Sequence, residues 1–528
     1  MSNLQIKKVF IANRGEVVRR IAHSAKSLGI QTACVASGTP PVYLSGVIDH
    51  FLFVSEENVA LYLNQEKMIA LALEASCDAV HPGFGFLSEN HSFAQKVQEA
   101  GLNWVGPDPL TIKKMADKSE ARKIAEALKV PCTKALGNYS HKSKKDLERL
   151  KKFSEVASFP LLVKAALGGG GKGMRLVHKA EDLDENIEKA SREAKSSFGD
   201  ETLIIEEYIE KSRHVEVQIV GDKSGQIKVL GDRDCSIQRR HQKILEEAPA
   251  PFLKEETRKE LHNCARRLAE EIGYVSCGTV EFLLSWDAKK GHKNLSKIYF
   301  LEMNTRLQVE HPVTEEVFGV DLVALQFKVA QGISFSKEFM VKSSRGHSIE
   351  ARIYLEDPKR NFLPIPGYVP SFIPYEQRGI RWEIGLDKVG EVSGQFDPMV
   401  AKVIATAETR EGALSLLRES LSQTFLATTA SNIALLCEIL DEPLFVTNSV
   451  STDYLQHNLP SLISKIEAKE LAFQPSLKTI IEKCKIMGEA DKGQSSYSQK
   501  SDFKSLTEAA YLKKGARKVK EKDEKKEE

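Results

Sequence analysis

KVFIANRGEVVRRIAHSAKSLGIQTACVAS, residues 8–37, is the stretch from which the fold is read. Its first six residues make a short apolar strand that runs into the turn Arg14-Gly15-Glu16. Val17, Val18, Ile21, Ala22, Ala25 and Leu28 then recur at three- and four-residue intervals, the spacing of one helix face. Gly29 stops that helix, and residues 31–36 read as a second buried strand. Strand, turn, helix and strand in this order predict a parallel, Rossmann-like α/β lobe. A helix over 68–75 and strands at 79–80 and 103–105 continue it to about residue 115.

Further along, a helix over 116–129 carries Lys118 and ends before Pro131. The polar run 140–152 predicts a solvated helix, and 159–164 a strand that empties into a glycine loop. Strands are expected at 203–207, 214–220, 227–230, 279–284 and 298–302, with one long helix over 255–272. Residues 285–297 read as an extended hairpin loop, and a helix follows Asp321. Strands at 347–354 and 399–406 and helices at 411–421 and 431–440 finish a mixed C-terminal lobe. The fold class is therefore multidomain α/β and α+β. The expected divisions are 1–115, 116–345 with a mobile lid over about 135–207, and 346–458. A helical extension over 459–512 and a charged, disordered tail over 513–528 follow, the tail holding 8 basic and 5 acidic residues.

Composition excludes several classes. Hydrophobic residues at 41% and charged residues at 28% describe an ordinary globular protein. No run reaches the ~18 apolar residues that span a bilayer, so no membrane insertion is expected. The opening MSNLQIKKVFIANRG has too short an apolar run for a signal peptide. A net charge of +2 leaves no overall nucleic-acid footprint. The eight cysteines form no close CxxC pair, which argues against a zinc knuckle and for a reducing, cytoplasmic location.

Four constellations carry chemistry. In KAALGGGGKGM (164–174), Gly168, Gly169, Gly170 and Gly171 let backbone N–H groups approach phosphate oxygens, with Lys164 and Lys172 beside them. No GK[ST] follows, so this is not a Walker loop, and a plain glycine-rich turn is the alternative. Glu281 and Glu302, with Asn304, sit at or near the ends of two strands with apolar neighbours. Mg²⁺ would compensate such acids, and so would an ion pair with nearby arginines. Arg306, Gln308 and Glu310 continue the alternation of Glu302 and Asn304, and an extended segment would turn all of them into one cavity rather than toward solvent. A guanidinium and an amide there can grip a planar oxyanion while a carboxylate takes its proton. Finally, Arg233 to Lys243 is rich in cations but has no interleaved aromatics. That favours phosphates and a small anion over nucleic acid, and Cys235 within it reads as a buried thiol.

IANRGE (11–16), HPGFGFLSEN (81–90), ADKSEA (116–121), the glycine loop, EEYIEKSRHVEVQ (206–218), DRDCSIQRRHQKILEEAPA (232–250), GTVEF (278–282), EMNTRLQVEHPVTE (302–315), ARIYLEDP (351–358) and FDPMVAK (396–402) occur in the order of one family. The chain resembles biotin carboxylase, the ATP-grasp component of acyl-CoA carboxylases and of pyruvate carboxylase, over about 1–458. The resemblance implies an ATP-grasp fold and a ligase that makes carboxyphosphate from bicarbonate and ATP, then carboxylates biotin. By the same resemblance Lys118, Lys164, Glu206, Glu207, Ile209, His214, Gln238 and His241 meet ATP. Glu281, Glu302 and Asn304 hold Mg²⁺, or Mn²⁺ in its place. Arg306, Gln308, the Val309 backbone and Lys243 grip bicarbonate, Glu310 deprotonates it, and Arg352 steadies charge on biotin. Implied partners are a biotin carboxyl carrier protein or domain, a carboxyltransferase subunit and a second copy of the chain.

Residues 37–50 depart from the family pattern, Leu167 stands where a small residue is usual, and no Met-Lys-Met biotinylation motif occurs, which points to a carrier on another polypeptide. Two rival readings remain at this level: another ATP-grasp carboxylate–amine ligase, and a catalytically silent scaffold that keeps the fold.

Overall fold

The computed structural model describes residues 5–166, 174–251, 253–286, 295–335 and 343–471. The chain divides into two units, 1–459 and 460–528. Of the second, residues 460–471 are described and are helical. The expected glycine loop at 168–171 and nearly all of the extension and tail lie outside the described residues.

The first unit opens with a five-stranded sheet in the order His50–Val54, Gln31–Ser37, Lys8–Ile11, Ala79–His81, Asn103–Trp104. All four pairings are parallel. Val9, Phe10 and Ile11 in its central strand are fully buried, as a strand covered on both faces requires. The helix Glu16–Ser27 buries Val17, Val18, Ile21, Ala22 and Ala25 along one stripe. Between strand and helix Gly15 adopts φ 74° and ψ −152°, a conformation closed to side chains, which turns Arg14 and Glu16 toward the interior of the unit.

A four-stranded antiparallel sheet follows, in the order Ala135–Tyr139, Leu203–Glu207, Leu161–Ala165, Arg175–Val177. The third sheet has eight strands: Leu295–Asn304, Ser276–Trp286, Ser212–Gly221, Ile227–Arg239, Gln242–Ala248, His347–Tyr354, Met399–Ala407 and Ile380–Ile384. It runs without a break across residue 345, because Gln242–Ala248 pairs with His347–Tyr354. The long helix Glu255–Glu271 packs Leu261, Cys264, Ala265, Leu268 and Ala269 into the core beneath it.

Several expectations need correction. The helix expected over 116–129 runs Lys118–Ala127: Asp117 is extended and caps it, its carboxylate accepting from Ser119 N at 2.8 Å and Glu120 N at 3.1 Å, and Ala116 ends a separate helix, Pro109–Ala116. The polar helix runs Lys144–Val156 and is not wholly solvated, since Leu150 is buried. The hairpin loop is shorter than 285–297: Ser285 pairs with Lys297 and Trp286 with Leu295, and 287–294 lie outside the described residues. Glu281 stands mid-strand rather than near an end, directly opposite Glu302. The alternation at 302–310 is strand only to Asn304. A bend and turn follow, and Glu310, at φ −83° and ψ 10°, begins the helix His311–Phe318.

Candidate active site

One cavity of about 670 Å³ gathers the residues singled out in the sequence. Lys118, Lys164, Glu206, Glu207, Ile209, His214, Gln238, His241, Lys243, Glu281, Glu302, Asn304, Arg306, Gln308, Val309 and Arg352 all line it. They come from 116–345 and, in the case of Arg352, from 346–458; the eight-stranded sheet supplies seven of the sixteen, His214, Gln238, Lys243, Glu281, Glu302, Asn304 and Arg352. Glu310 does not line it: its carboxylate is fully buried behind the wall. Gly168, Gly169, Gly170 and Gly171 lie outside the described residues.

At one end Lys164 Nζ lies 2.6 Å from Glu206 Oε1, across the paired strands Leu161–Ala165 and Leu203–Glu207. Thr133 Oγ1 donates to Glu206 Oε2 at 3.1 Å, so the carboxylate is held from both sides. Lys118 Nζ is 3.2 Å from Glu302 Oε2. These lysines stand beside carboxylates at the cavity wall, where an anionic ligand would compete for them.

The centre is a charge cluster built on Lys243. Its ammonium donates to Glu216 Oε2 at 2.5 Å, Glu281 Oε1 at 2.8 Å and Glu310 Oε1 at 2.7 Å, which uses all three N–H bonds. Burial works against that charge, but Glu216, Glu281 and Glu310 together raise the pKa well above the usual lysine range. Burial also opposes ionisation of Glu310, and the cations Lys243, Arg352 and Arg233 overcome it and hold the carboxyl well below its ordinary value. Glu281 is likewise lowered despite burial, by Lys243 and His214; His214 Nε2 lies 3.0 Å from its Oε2 and Asn304 Nδ2 donates to its Oε1 at 2.8 Å.

Arg352 reaches the cluster from the adjacent strand His347–Tyr354, donating to Glu246 Oε1 at 2.6 Å and to Glu310 Oε2 at 3.1 Å. Burial raises Glu246 to about 7 even with Arg352 beside it. Arg306 points the other way: Nε donates to Glu89 Oε2 at 2.9 Å and Nη1 to Gln308 Oε1 at 3.1 Å. The expected cationic stretch is only partly in the site. Arg233 is fully buried among Glu216, Gln218, Thr279 and Thr314, and Arg239 pairs with Glu356 at 2.7 Å. Gln238, His241 and Lys243 are the members that face the cavity, together with Gln242.

Comparison with known proteins accounts for this arrangement. Residues 5–112 match the family described as biotin carboxylase, N-terminal domain; 117–338 match carbamoyl-phosphate synthase L chain, ATP binding domain; and 350–457 match biotin carboxylase C-terminal domain. Biotin carboxylase 2 of Bacillus subtilis is 40% identical over 456 residues, covering 86% of this chain and 99% of that protein. This chain belongs to the biotin carboxylase family. The family consists of ATP-dependent ligases that carboxylate biotin.

A second relative, the mitochondrial methylcrotonoyl-CoA carboxylase subunit alpha of mouse, is 40% identical over 483 residues, and the chain spans 65% of its length. Among solved structures, a Campylobacter jejuni biotin carboxylase in a β,γ-ATP complex superposes with a TM-score of 0.80 at 38% identity, over 86% of this chain and 99% of that one. The biotin carboxylase domain of Hydrogenobacter thermophilus 2-oxoglutarate carboxylase, solved with MgADP, ADP and bicarbonate, gives 0.80 at 37%, over 87% and 99%.

Sequence reading assigned no role to Glu89, Glu216 or Glu246, although each lies in a quoted motif. The signal for Glu216 was present: it shares parity with His214 and Gln218 in a strand whose ten residues are all buried, so its side chain had to meet a cation. Glu89 and Glu246 act across long sequence separations, on Arg306 and Arg352, and only the fold brings them there.

Proposed function

We propose that the cavity takes MgATP, bicarbonate and biotin, and that the chain carboxylates biotin through carboxyphosphate. The observation that carries this reading is the Lys243 ammonium bound to three carboxylates, lining the same cavity as Arg306, Gln308 and Val309. A small oxyanion fits there between fixed donors, beside a pair of carboxylates suited to a cation, Glu281 of that set and Glu302. Glu281 and Glu302, opposed on paired strands, with the Asn304 amide alongside, offer the hard oxygen donors that Mg²⁺ or Mn²⁺ prefers. When bound, that ion would neutralise charge on the phosphates.

In this reading Lys118 and Lys164 hold phosphate oxygens, and Glu206, Glu207, Ile209, His214, Gln238 and His241 contact the nucleotide. Arg306 and Gln308 orient bicarbonate with the Val309 N–H, Lys243 adds charge, and Glu310, kept ionised by its neighbours, accepts the proton. Arg352 steadies negative charge on biotin. The protein's contribution is positioning and fixed charge.

Biotin arrives on a carrier protein or domain outside these 528 residues, and a carboxyltransferase passes the carboxyl group to an acyl-CoA, the acceptor class named for the mouse relative. A homodimer in the cytoplasm completes the reading. Among the described residues no helix is long and apolar enough to cross a membrane, and the cysteines are free thiols. The test is ADP release by purified protein with MgATP, bicarbonate and near-saturating free biotin. Release that requires both bicarbonate and biotin is the expected result; turnover that follows ammonia and ignores biotin would overturn it.

A further inference from the structure

Between Asn304 and His311 the chain is neither strand nor helix, so no sheet or helix ladder fixes the peptide planes that face the cavity. Two buried side chains do so instead. Lys402, fully buried on the strand Met399–Ala407, donates through Nζ to the carbonyl of Val309 at 2.7 Å. His311, also fully buried, places Nδ1 2.7 Å from the carbonyl of Gln308. A carbonyl oxygen only accepts, so Nδ1 carries the proton. Backbone bonds in this stretch are longer: His311 N to Gln308 O and Val313 N to Glu310 O are each 3.3 Å.

We propose that Lys402 and His311 are positioning residues that clamp the two peptide groups flanking Val309, and so aim its N–H and seat Glu310. The proposal rests on the reading of 306–310 as a bicarbonate site. His311 holds the peptide whose N–H is that of Val309, and donation to the carbonyl side of that peptide strengthens the N–H as a donor. Lys402 holds the next peptide, from which the Glu310 side chain departs toward Lys243 and Arg352.

A packing role alone would not account for the residue types. An ammonium with no exposed surface pays a large desolvation cost unless it is paired, and a methionine would fill much the same volume without it. Here the pairing comes from the other end of the chain: Glu16 Oε1, at the start of the first helix, lies 3.2 Å from Lys402 Nζ. Gly385 packs so closely on Glu16 that a Cβ there would stand 2.7 Å from Glu16 N. Three distant segments thus meet at one carbonyl in the cavity wall. His311 is kept neutral, first by burial and then by Lys402, Arg20 and Arg381, which suits a group that must donate from one nitrogen without adding charge.

The test compares the wild type with K402M/E16Q, which removes both charges together, and with H311F and H311N, the last of which keeps an N–H near Nδ1. Thermal midpoint, MgATP affinity, the KM for bicarbonate, and amide hydrogen exchange at Val309 and Glu310 are measured on each. In K402M/E16Q and H311F the KM for bicarbonate should rise ~10-fold, as loss of one buried charge-assisted or fixed hydrogen bond predicts, with MgATP affinity within about 2-fold. Exchange at the two amides should quicken, and H311N should recover most of the KM. An unchanged bicarbonate KM in the folded variants overturns the proposal, as does a parallel loss of MgATP affinity and thermal midpoint, which would mark a structural role only. If the wild type shows no bicarbonate-dependent turnover, the functional reading fails instead. Exchange at Val309 and Glu310 then decides the clamp by itself: faster in the variants supports it, and unchanged rejects it.

Discussion

The Glu310 carboxylate has no exposed surface, and its two oxygens are taken by Lys243 at 2.7 Å and Arg352 at 3.1 Å. A group so placed is ionised at neutral pH yet weakly basic, so it takes a proton only when bicarbonate or a neighbour shifts the surrounding cations. E310Q keeps the shape and removes the acceptor. Turnover should fall by ~10²-fold while MgATP affinity stays near the wild-type value, measured by steady-state kinetics and nucleotide titration. A large loss of nucleotide affinity would place Glu310 with the metal-binding carboxylates. Glu89 gives a contrasting case. Among the described residues it touches the site through Arg306, at 2.9 Å, and through Thr305 N, at 3.3 Å. E89Q should therefore raise the KM for bicarbonate by about 3- to 10-fold, the scale of one weakened charge-assisted bond, and change kcat less. Residue identity was legible in the sequence wherever a motif concentrated unusual polar types, as in 302–310. It was not legible that Glu310 would sit behind the wall: that follows from the turn after Asn304, and a period-two alternation of side chains does not announce where a strand ends.

Among the elements, the strands that carry the site are joined by charges as well as by ladders. Glu247 on Gln242–Ala248 accepts from His347 on the neighbouring strand at 2.8 Å and from Arg410 at 2.6 and 3.0 Å, and Arg410 in turn donates to the carbonyls of Val446 and Phe445. Burial opposes ionisation of Glu247, but Arg410 and His347 bring its pKa down to about 2. The folded value lies below the unfolded one, so the carboxylate stabilises the fold above the unfolded pKa of ~4.3 and loses that contribution as pH falls toward the folded value. The difference corresponds to about 3 kcal/mol as an order of magnitude. E247Q should melt well below the wild type at pH 7, and the gap between the two should narrow as pH is lowered from about 5 to about 3, read by thermal melts across pH. A gap that stays constant would mean that the pin acts through packing alone. The strand Gln31–Ser37 was legible as a largely apolar run bounded by turn residues, and His347–Tyr354 as an alternation through Ile349, Ala351 and Ile353. That the helix starts at Lys118 rather than Ala116 was not legible, because Asp117 shows itself as an N-cap only when its side chain is seen to accept from Ser119 and Glu120.

For the whole molecule, every described residue that lines the cavity lies between Asn13 and Gln456, within the unit that ends at residue 459. Nothing in the proposed chemistry calls on residues 472–528. These include Ser-, Gln- and Lys-rich sequence over 488–501 and the mixed charges of 513–528, 8 basic and 5 acidic. So little of 513–528 is apolar that its contribution is expected in encounters with other proteins rather than in turnover. In the proposed reading biotin reaches Arg352 on a carrier, and a segment that holds carrier or carboxyltransferase nearby would raise its effective concentration at the cavity without touching the reaction. A chain ending at Leu471 should therefore keep kcat and the KM values for ATP, bicarbonate and free biotin within about 2-fold, because the cavity and the cluster on Lys243 remain whole. With carrier-linked biotin its KM should rise, and the wild type's advantage should shrink as salt is raised from 50 to about 300 mM, where exposed charges are screened over a few ångströms. Equal KM values for carrier-linked biotin at low salt would show that 472–528 plays no part in docking. A loss of activity on free biotin would show that the catalytic unit extends past Leu471.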